Sequence, residues 1–166
     1  GVQVTLLDIA PLPPEGGVLK PSDKNKIVND ALAAAIKSNP SPVYHKDVIK
    51  RITTGNFEDN MKDIAGCDWV IEVVVERLDI KQKVVEQVGQ YRKPGTLITS
   101  NTSGISIQMM AEGRSDDFKK HFCGTHFFNP PRYLRLLEII PTPDTDPSII
   151  DFLMSYGDLY LGKTTV

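Results

Sequence analysis

DWVIEVVVERLDIKQKVVEQVGQY, residues 68–91, predicts a β-strand that leads directly into an α-helix. Residues 68–76 are dominated by valine and isoleucine, and β-branched side chains favour extended structure. From Leu78 onward the apolar residues recur every three or four positions, which is the spacing of one helix face. Because a strand followed at once by a helix is the building unit of a parallel sheet, this segment indicates an α/β protein.

Similar signals lie on both sides of this segment. Further strands are predicted at residues 2–9, 96–101, 121–128 and 134–140, with a weaker one starting near residue 52. Further helices are predicted at 22–37, with Ser22 as N-cap, at 58–66, at 106–113 and from Asp146 to about residue 161. This alternation predicts a mainly parallel sheet covered by helices on both faces.

The composition fits one globular domain. The chain has 166 residues, 40% of them hydrophobic and 24% charged, which is enough to bury a core. A net charge of -2 does not supply the basic excess of a dedicated nucleic-acid surface. Its two cysteines, Cys67 and Cys123, form no CxxC pair, so a reducing, cytoplasmic location is the default. The longest apolar runs are too short to span a bilayer, and we expect no signal peptide.

Polar residues recur at the carboxyl ends of the predicted strands. Asp8, Glu76, Asn101 and His126 all lie at or just beyond such an end. Ligands of open α/β sheets bind along this edge, which favours a shared site. Strands commonly end in polar residues, so the pattern alone is equally compatible with a chance arrangement.

Asp8 and the Glu76–Lys81 pair are candidates for cofactor binding. An acid after the first strand can accept hydrogen bonds from ribose hydroxyls and repel the 2′-phosphate of NADP, which favours NAD. The glycine-rich loop that normally precedes this acid by about twenty residues would lie upstream of Gly1. The simpler interpretations are a solvated turn at Asp8 and a solvated helix start at Glu76, where the helix dipole favours an acid.

His126 and Glu138 form a candidate acid–base pair. Glu138 lies within the apolar run LRLLEII, residues 134–140, and we expect it to be at least half-buried. A buried carboxylate is costly unless it is paired, and the twelve-residue spacing lets the chain turn and bring it to His126. A histidine held in one tautomer by a carboxylate is a general base. We expect His45 and His121 to lack such a partner and to lie on the surface.

Ser103, in SNTSG, has two interpretations. Its hydroxyl could hydrogen-bond a substrate oxygen, or it could be an ordinary turn residue. The chain has no G-x-S-x-G motif, so a hydrolase nucleophile is disfavoured.

Three motifs together resemble a known family. DWVIEVVVERLDIKQKV, ITSNTSGIS and GTHFFNPPRYLRLLEII are similar to the NAD-binding domain of the L-3-hydroxyacyl-CoA dehydrogenases of fatty-acid β-oxidation, closest to large multidomain bacterial members. The resemblance implies a Rossmann-like, doubly wound, mainly parallel sheet whose first βα unit is missing from the chain. It also implies that residues 1–166 are a truncated NAD-binding domain without the helical C-terminal domain for substrate binding and dimerisation.

The resemblance assigns a role to each candidate residue. His126 would be the general base, Glu138 would orient it, and Ser103 would bind the C3 oxygen of the substrate. The cofactor-binding residues would be Asp8, Glu76, Lys81 and Asn101. The substrate-binding residues would be Ser103, Asn101 and Asn129. No metal is implied.

The implied activity is NAD-dependent oxidation of L-3-hydroxyacyl-CoA to 3-oxoacyl-CoA. The expected partners are the acyl-CoA substrate, further domains of a longer chain and a homodimer mate, with no nucleic acid and no membrane insertion. We expect the 166 residues alone to be inactive. The alternative is a non-catalytic nucleotide-binding or structural module with the same fold.

Overall fold

The computed structural model describes residues 1–166. It divides into two compact units, Gly1–Asp63 and Ile64–Val166, each with its own sheet. The single domain predicted from the sequence is thus built of two units. None of its helices combines the length and apolar composition needed to cross a bilayer.

The first unit is built on two parallel strands. Strands β1 (Val4–Asp8) and β2 (Ile52–Asn56) pair so that Asp8 lies opposite Asn56, and helix α1 (Lys26–Lys37) packs against both. A short helix, α2 (Phe57–Asn60), follows.

The predicted N-cap of the first helix is wrong. The Ser22 hydroxyl donates to the Asp23 carboxylate at 3.1 Å, within a short 3-10 turn over Pro21–Asp23. Since that turn uses the residues expected to start the helix, α1 begins at Lys26.

The second unit contains a five-stranded sheet in the order β3-β4-β5-β6-β7. Its strands are β3 (Trp69–Glu72), β4 (Leu97–Ser100), β5 (Phe122–Phe127), β6 (Leu136–Pro141) and β7 (Thr164–Thr165). Its helices are α3 (Leu78–Tyr91), α4 (Ile107–Ala111), α5 (Asp116–Lys120) and α6 (Pro147–Leu159). Only β5 and β6 pair antiparallel, so the predicted mainly parallel sheet is confirmed.

Helices cover both faces of this sheet. Leu153 of α6 joins Leu137 and Ile139 in the main core, where Trp69 packs at the edge. On the opposite face α4 approaches β5 so closely that a Cβ on Gly124 would lie 3.0 Å from the Ile107 side chain. The predicted covering of both faces is therefore confirmed for this unit.

Strand β3 ends four residues earlier than the valine-rich sequence predicts. The Glu72 carboxylate accepts the N–H of Val74 at 2.6 Å, and Lys81 Nζ donates to the Val74 carbonyl at 3.1 Å. These bonds give both the N–H and the carbonyl of Val74 a side-chain partner, so neither needs a neighbouring strand. The chain can therefore leave the sheet after Glu72.

A buried ion pair joins α3 to the end of β3. The Lys81 and Glu72 side chains are 1% and 0% exposed, and Lys81 Nζ lies 2.9 Å from Glu72 Oε1. The Ser100 hydroxyl donates to the other Glu72 oxygen at 2.5 Å. Both charges are therefore paired and hydrogen-bonded, which offsets the cost of removing them from water.

Lys81→Met tests how much this ion pair contributes to the free energy of unfolding. It leaves Glu72 buried without a counter-charge, and we expect a loss of about 3–5 kcal/mol in the free energy of unfolding. Urea denaturation followed by the fluorescence of Trp69, the single tryptophan, measures it. The matched control is Lys83→Met, at an exposed position of the same helix. Equal losses in the two variants would show that the pair contributes nothing.

Leu153→Ala tests the core. Leu153 is 1% exposed, so truncation leaves a cavity and should cost about 2–5 kcal/mol. Leu159 lies on the same helix but is 73% exposed, and Leu159→Ala should stay within about 0.5 kcal/mol of the parent. The same fluorescence titration applies, and similar midpoints for both variants would contradict the assigned core.

Candidate active site

His126 and Glu138 face each other across neighbouring strands. They are direct partners in the antiparallel register of β5 and β6, so their side chains lie on one face of the sheet. His126 Nδ1 is 2.7 Å from Glu138 Oε2. The imidazole is 18% exposed and the carboxylate 41%. The predicted contact and the predicted partial burial of Glu138 are both confirmed.

Ser103 completes a hydrogen-bonded row. Its Oγ lies 3.0 Å from His126 Nε2, on the side of the ring away from Glu138. An ionised carboxylate only accepts hydrogen bonds, so Nδ1 is assigned as the donor to Glu138. Nε2 then carries the lone pair, and the Ser103 hydroxyl donates to it. His126 Nε2 is therefore available as an acceptor for any donor that replaces the Ser103 hydroxyl.

Glu76 holds the loop that carries Ser103. Its Oε1 accepts the N–H of Ser103 at 3.0 Å, the N–H of Gly104 at 2.9 Å and the hydroxyl of Thr102. These bonds, with the Thr102 hydroxyl contributing most and Lys81 adding its charge, lower the pKa of Glu76 to about 2. Glu76 is thus a carboxylate throughout the physiological pH range.

Asn101 ties the end of β4 to β5 beside the histidine. Its carboxamide oxygen accepts the N–H of Phe127 at 2.8 Å. Three of the four strand-end residues predicted to share a site, Glu76, Asn101 and His126, therefore meet around one loop. The fourth, Asp8, ends β1 of the first unit as predicted, where its Oδ1 accepts the N–H of Ile9 at 2.7 Å.

The two remaining predicted site residues differ in exposure. Asn129 is exposed on the connection between β5 and β6, close in sequence to His126. Lys81 is enclosed, and its ammonium bonds to Glu72 and the Val74 carbonyl and lies 3.4 Å from Glu76. Its cofactor-binding role stays a prediction.

The prediction for the other two histidines is wrong in part. His45 is exposed as expected, but its Nδ1 lies 3.3 Å from the Asp47 carboxylate. His121 is only 24% exposed, and its Nδ1 lies 2.7 Å from the Asp117 carbonyl oxygen and 3.5 Å from the Asp117 carboxylate. The reason is α5, which the sequence did not predict and which ends at this histidine.

Three contributing residues were missed from the sequence. Glu72 forms the ion pair with Lys81, and the Thr102 hydroxyl donates to the carboxylate of Glu76. Lys163, 8% exposed, donates to the carbonyls of Pro131 and Leu134 and so holds the β5–β6 connection. A lone charge inside an apolar strand was a usable signal for Glu72, whereas nothing near Lys163 in sequence indicates its partners.

A shallow cleft lies beside Ser103. Its volume is about 440 Å³, within the range of small-molecule sites. One wall is formed by residues 102–108 and the other by residues 140–143. Ser103 therefore borders an open, partly apolar surface.

The sequence of this chain is similar to that of known proteins. A sequence model of the family described as "3-hydroxyacyl-CoA dehydrogenase, NAD binding domain" matches residues 1–166. A probable 3-hydroxyacyl-CoA dehydrogenase of Bacillus subtilis is 48% identical over 100% of this chain and 22% of that protein. One of Deinococcus radiodurans is 42% identical over 100% of this chain and 46% of that protein. The chain thus spans less than half the length of these relatives.

Solved structures share the fold. 3-Hydroxybutyryl-CoA dehydrogenase from Escherichia coli matches 100% of this chain and 33% of its own, with a TM-score of 0.73 and 27% identity. (S)-3-Hydroxybutyryl-CoA dehydrogenase from Ralstonia eutropha matches 99% of this chain and 54% of its own, with a TM-score of 0.70 and 26% identity. The Rossmann-like class expected from the sequence is confirmed. The chain belongs to the family of NAD-binding domains of 3-hydroxyacyl-CoA dehydrogenases.

Proposed function

We propose that this chain binds NAD and transfers the substrate proton in an enzyme that oxidises L-3-hydroxyacyl-CoA to 3-oxoacyl-CoA. The observation that carries the proposal is the row Ser103–His126–Glu138, with neighbouring atoms 3.0 and 2.7 Å apart. Names of relatives support the reaction class, among them a putative fatty acid oxidation complex trifunctional enzyme of Rickettsia felis that is 39% identical.

The row suits the oxidation of a secondary alcohol. As C3 becomes a ketone, its hydroxyl loses a proton and its carbon loses a hydride. His126 Nε2 accepts the proton, and Glu138 stabilises the imidazolium that forms. Ser103 donates to the C3 oxygen and keeps it beside Nε2. Base assistance of this kind contributes roughly 10²–10⁴ in rate.

The residues present fit NAD as the cofactor. The Asp8 carboxylate stands at the carboxyl end of a parallel strand, which is where such sheets hold ribose hydroxyls. Asn101 precedes Ser103 in the same loop and would line the nicotinamide end. NAD, when bound, supplies the hydride acceptor.

Acyl-CoA binding is proposed to need more than this chain. Asn101, Ser103 and Asn129 are the residues we expect to meet the substrate here. The relatives' greater length supports further domains that complete the acyl-CoA site. The homodimer, the cytoplasmic location and the inactivity of the 166 residues alone stay predictions. A purely nucleotide-binding module would leave His126 without a task, which disfavours that alternative.

Removing the base tests the proposal. In the intact enzyme that contains this domain, His126→Ala should lower kcat for 3-hydroxybutyryl-CoA by roughly 10²–10⁴, because no other group replaces Nε2. Glu138→Gln should lower kcat through loss of the charge that stabilises the imidazolium. NADH formation measures turnover, and calorimetry should find NAD binding retained. His45→Ala is the control, and full activity of His126→Ala would refute the proposal.

Removing the ribose acceptor tests the cofactor assignment. Asp8→Ala should weaken NAD binding about ten- to hundredfold, because a charged hydrogen bond is lost. It should also reduce the ratio of the affinity for NAD to the affinity for NADP. Titration calorimetry with both nucleotides measures the two affinities. Glu15→Ala removes the same charge from an exposed loop and should change neither. An unaltered NAD/NADP ratio in Asp8→Ala would contradict the role.

A further inference from the structure

We infer that Glu76 is a positioning residue: through the loop 102–104 it sets the Ser103 hydroxyl against His126, and the buried Lys81–Glu72 pair in turn sets Glu76. The inference rests on the proposed function and deepens it. It gives Glu76 a task within the chain that differs from the cofactor contact expected from the sequence.

The loop depends on one oxygen atom. Thr102, Ser103 and Gly104 are consecutive, and each gives a donor to Glu76 Oε1. Ser103 and Gly104 are exposed, so little apolar packing fixes them. The loop conformation is therefore set mainly by these hydrogen bonds and by the Thr102 hydroxyl, which also accepts the N–H of Ile105 at 3.3 Å.

Glu76 is fixed from beneath. Its Oε2 lies 3.4 Å from Lys81 Nζ, which is bound 2.9 Å from Glu72 Oε1. Lys81 and Glu72 are almost completely enclosed, so moving either would expose an unpaired charge to the interior. Glu76, which is 44% exposed, thus lies beside a cation that is buried and paired.

The anchoring matters because proton transfer is sensitive to distance. Ser103 Oγ lies 3.0 Å from His126 Nε2, and catalytic geometry tolerates displacements of only about 0.5 Å. Without Glu76 the loop loses three hydrogen bonds, and Ser103 no longer holds the C3 oxygen beside Nε2. The positioning role therefore acts on kcat, whereas a cofactor contact would act on NAD affinity.

A double-mutant cycle in the intact enzyme separates these roles. Ser103→Ala should lower kcat by roughly 10², as loss of one well-placed donor does. Glu76→Ala should lower kcat about tenfold and leave the dissociation constant of NAD within about twofold, because it acts through Ser103. The double variant should be no slower than Ser103→Ala. Glu76→Gln retains an acceptor oxygen for the loop but turns an NH2 group toward Lys81, so it should recover only part of the activity lost in Glu76→Ala. Glu112→Ala is the exposed, charge-matched control.

If the decreases in kcat caused by Glu76→Ala and Ser103→Ala multiply in the double variant, the inference is overturned. Weaker NAD binding by Glu76→Ala with an unchanged kcat would also overturn it. If Glu76→Ala does not fold, Thr102→Val takes its place in the cycle, because it removes one donor to the same oxygen. Thr102→Val should lower kcat in the parent enzyme but not in the Ser103→Ala variant. A further decrease in kcat in that variant would overturn the inference. His126→Ala, measured in parallel, distinguishes the two levels: an active His126→Ala refutes the proposed function, whereas an inactive one with multiplying Glu76 and Ser103 losses refutes only the role of Glu76.

Discussion

The antiparallel pairing of β5 with β6 is the constraint on which the site depends. It places His126 directly opposite Glu138, so one short hydrogen bond fixes the ring and leaves Nε2 toward Ser103. A shift of register by one residue would send Glu138 to the opposite face of the sheet, where Leu137 and Ile139 form the core. The only antiparallel pair in this sheet thus brings the imidazole and the carboxylate together.

A second chain of contacts approaches the same histidine from the other side. It begins at the buried Glu72–Lys81 pair, passes through Glu76 and ends at Ser103. His126 is therefore held by the sheet, while Ser103 is held by a loop whose hydrogen bonds go to Glu76, beside the buried Lys81. In the function we propose, the buried ion pair contributes both to stability and to the position of Ser103.

Features that depend on the repeat of apolar residues, or on polar residues at strand ends, could be predicted from the sequence. The helix at 78–91 has its observed bounds, since its apolar repeat is long, and the contact of His126 with Glu138 followed from an isolated acid in an apolar run. Features decided by tertiary contacts were missed. The first turn of α3 resembles a solvated helix start, yet Lys81 is enclosed because Glu72 lies beneath it. Helix α5 contains a single apolar residue, Phe118, so it shows no apolar repeat in the sequence.

The most direct test of the account is the tautomer of His126, observed through its ring nitrogens by ¹⁵N NMR at a pH where the ring is neutral. The chain has three histidines, so loss of one set of signals in His126→Ala assigns it. We expect a single tautomer with the proton on Nδ1 and none on Nε2. A proton on Nε2, or a mixture of both tautomers, would contradict the claim that Glu138 prepares this histidine to act as a base.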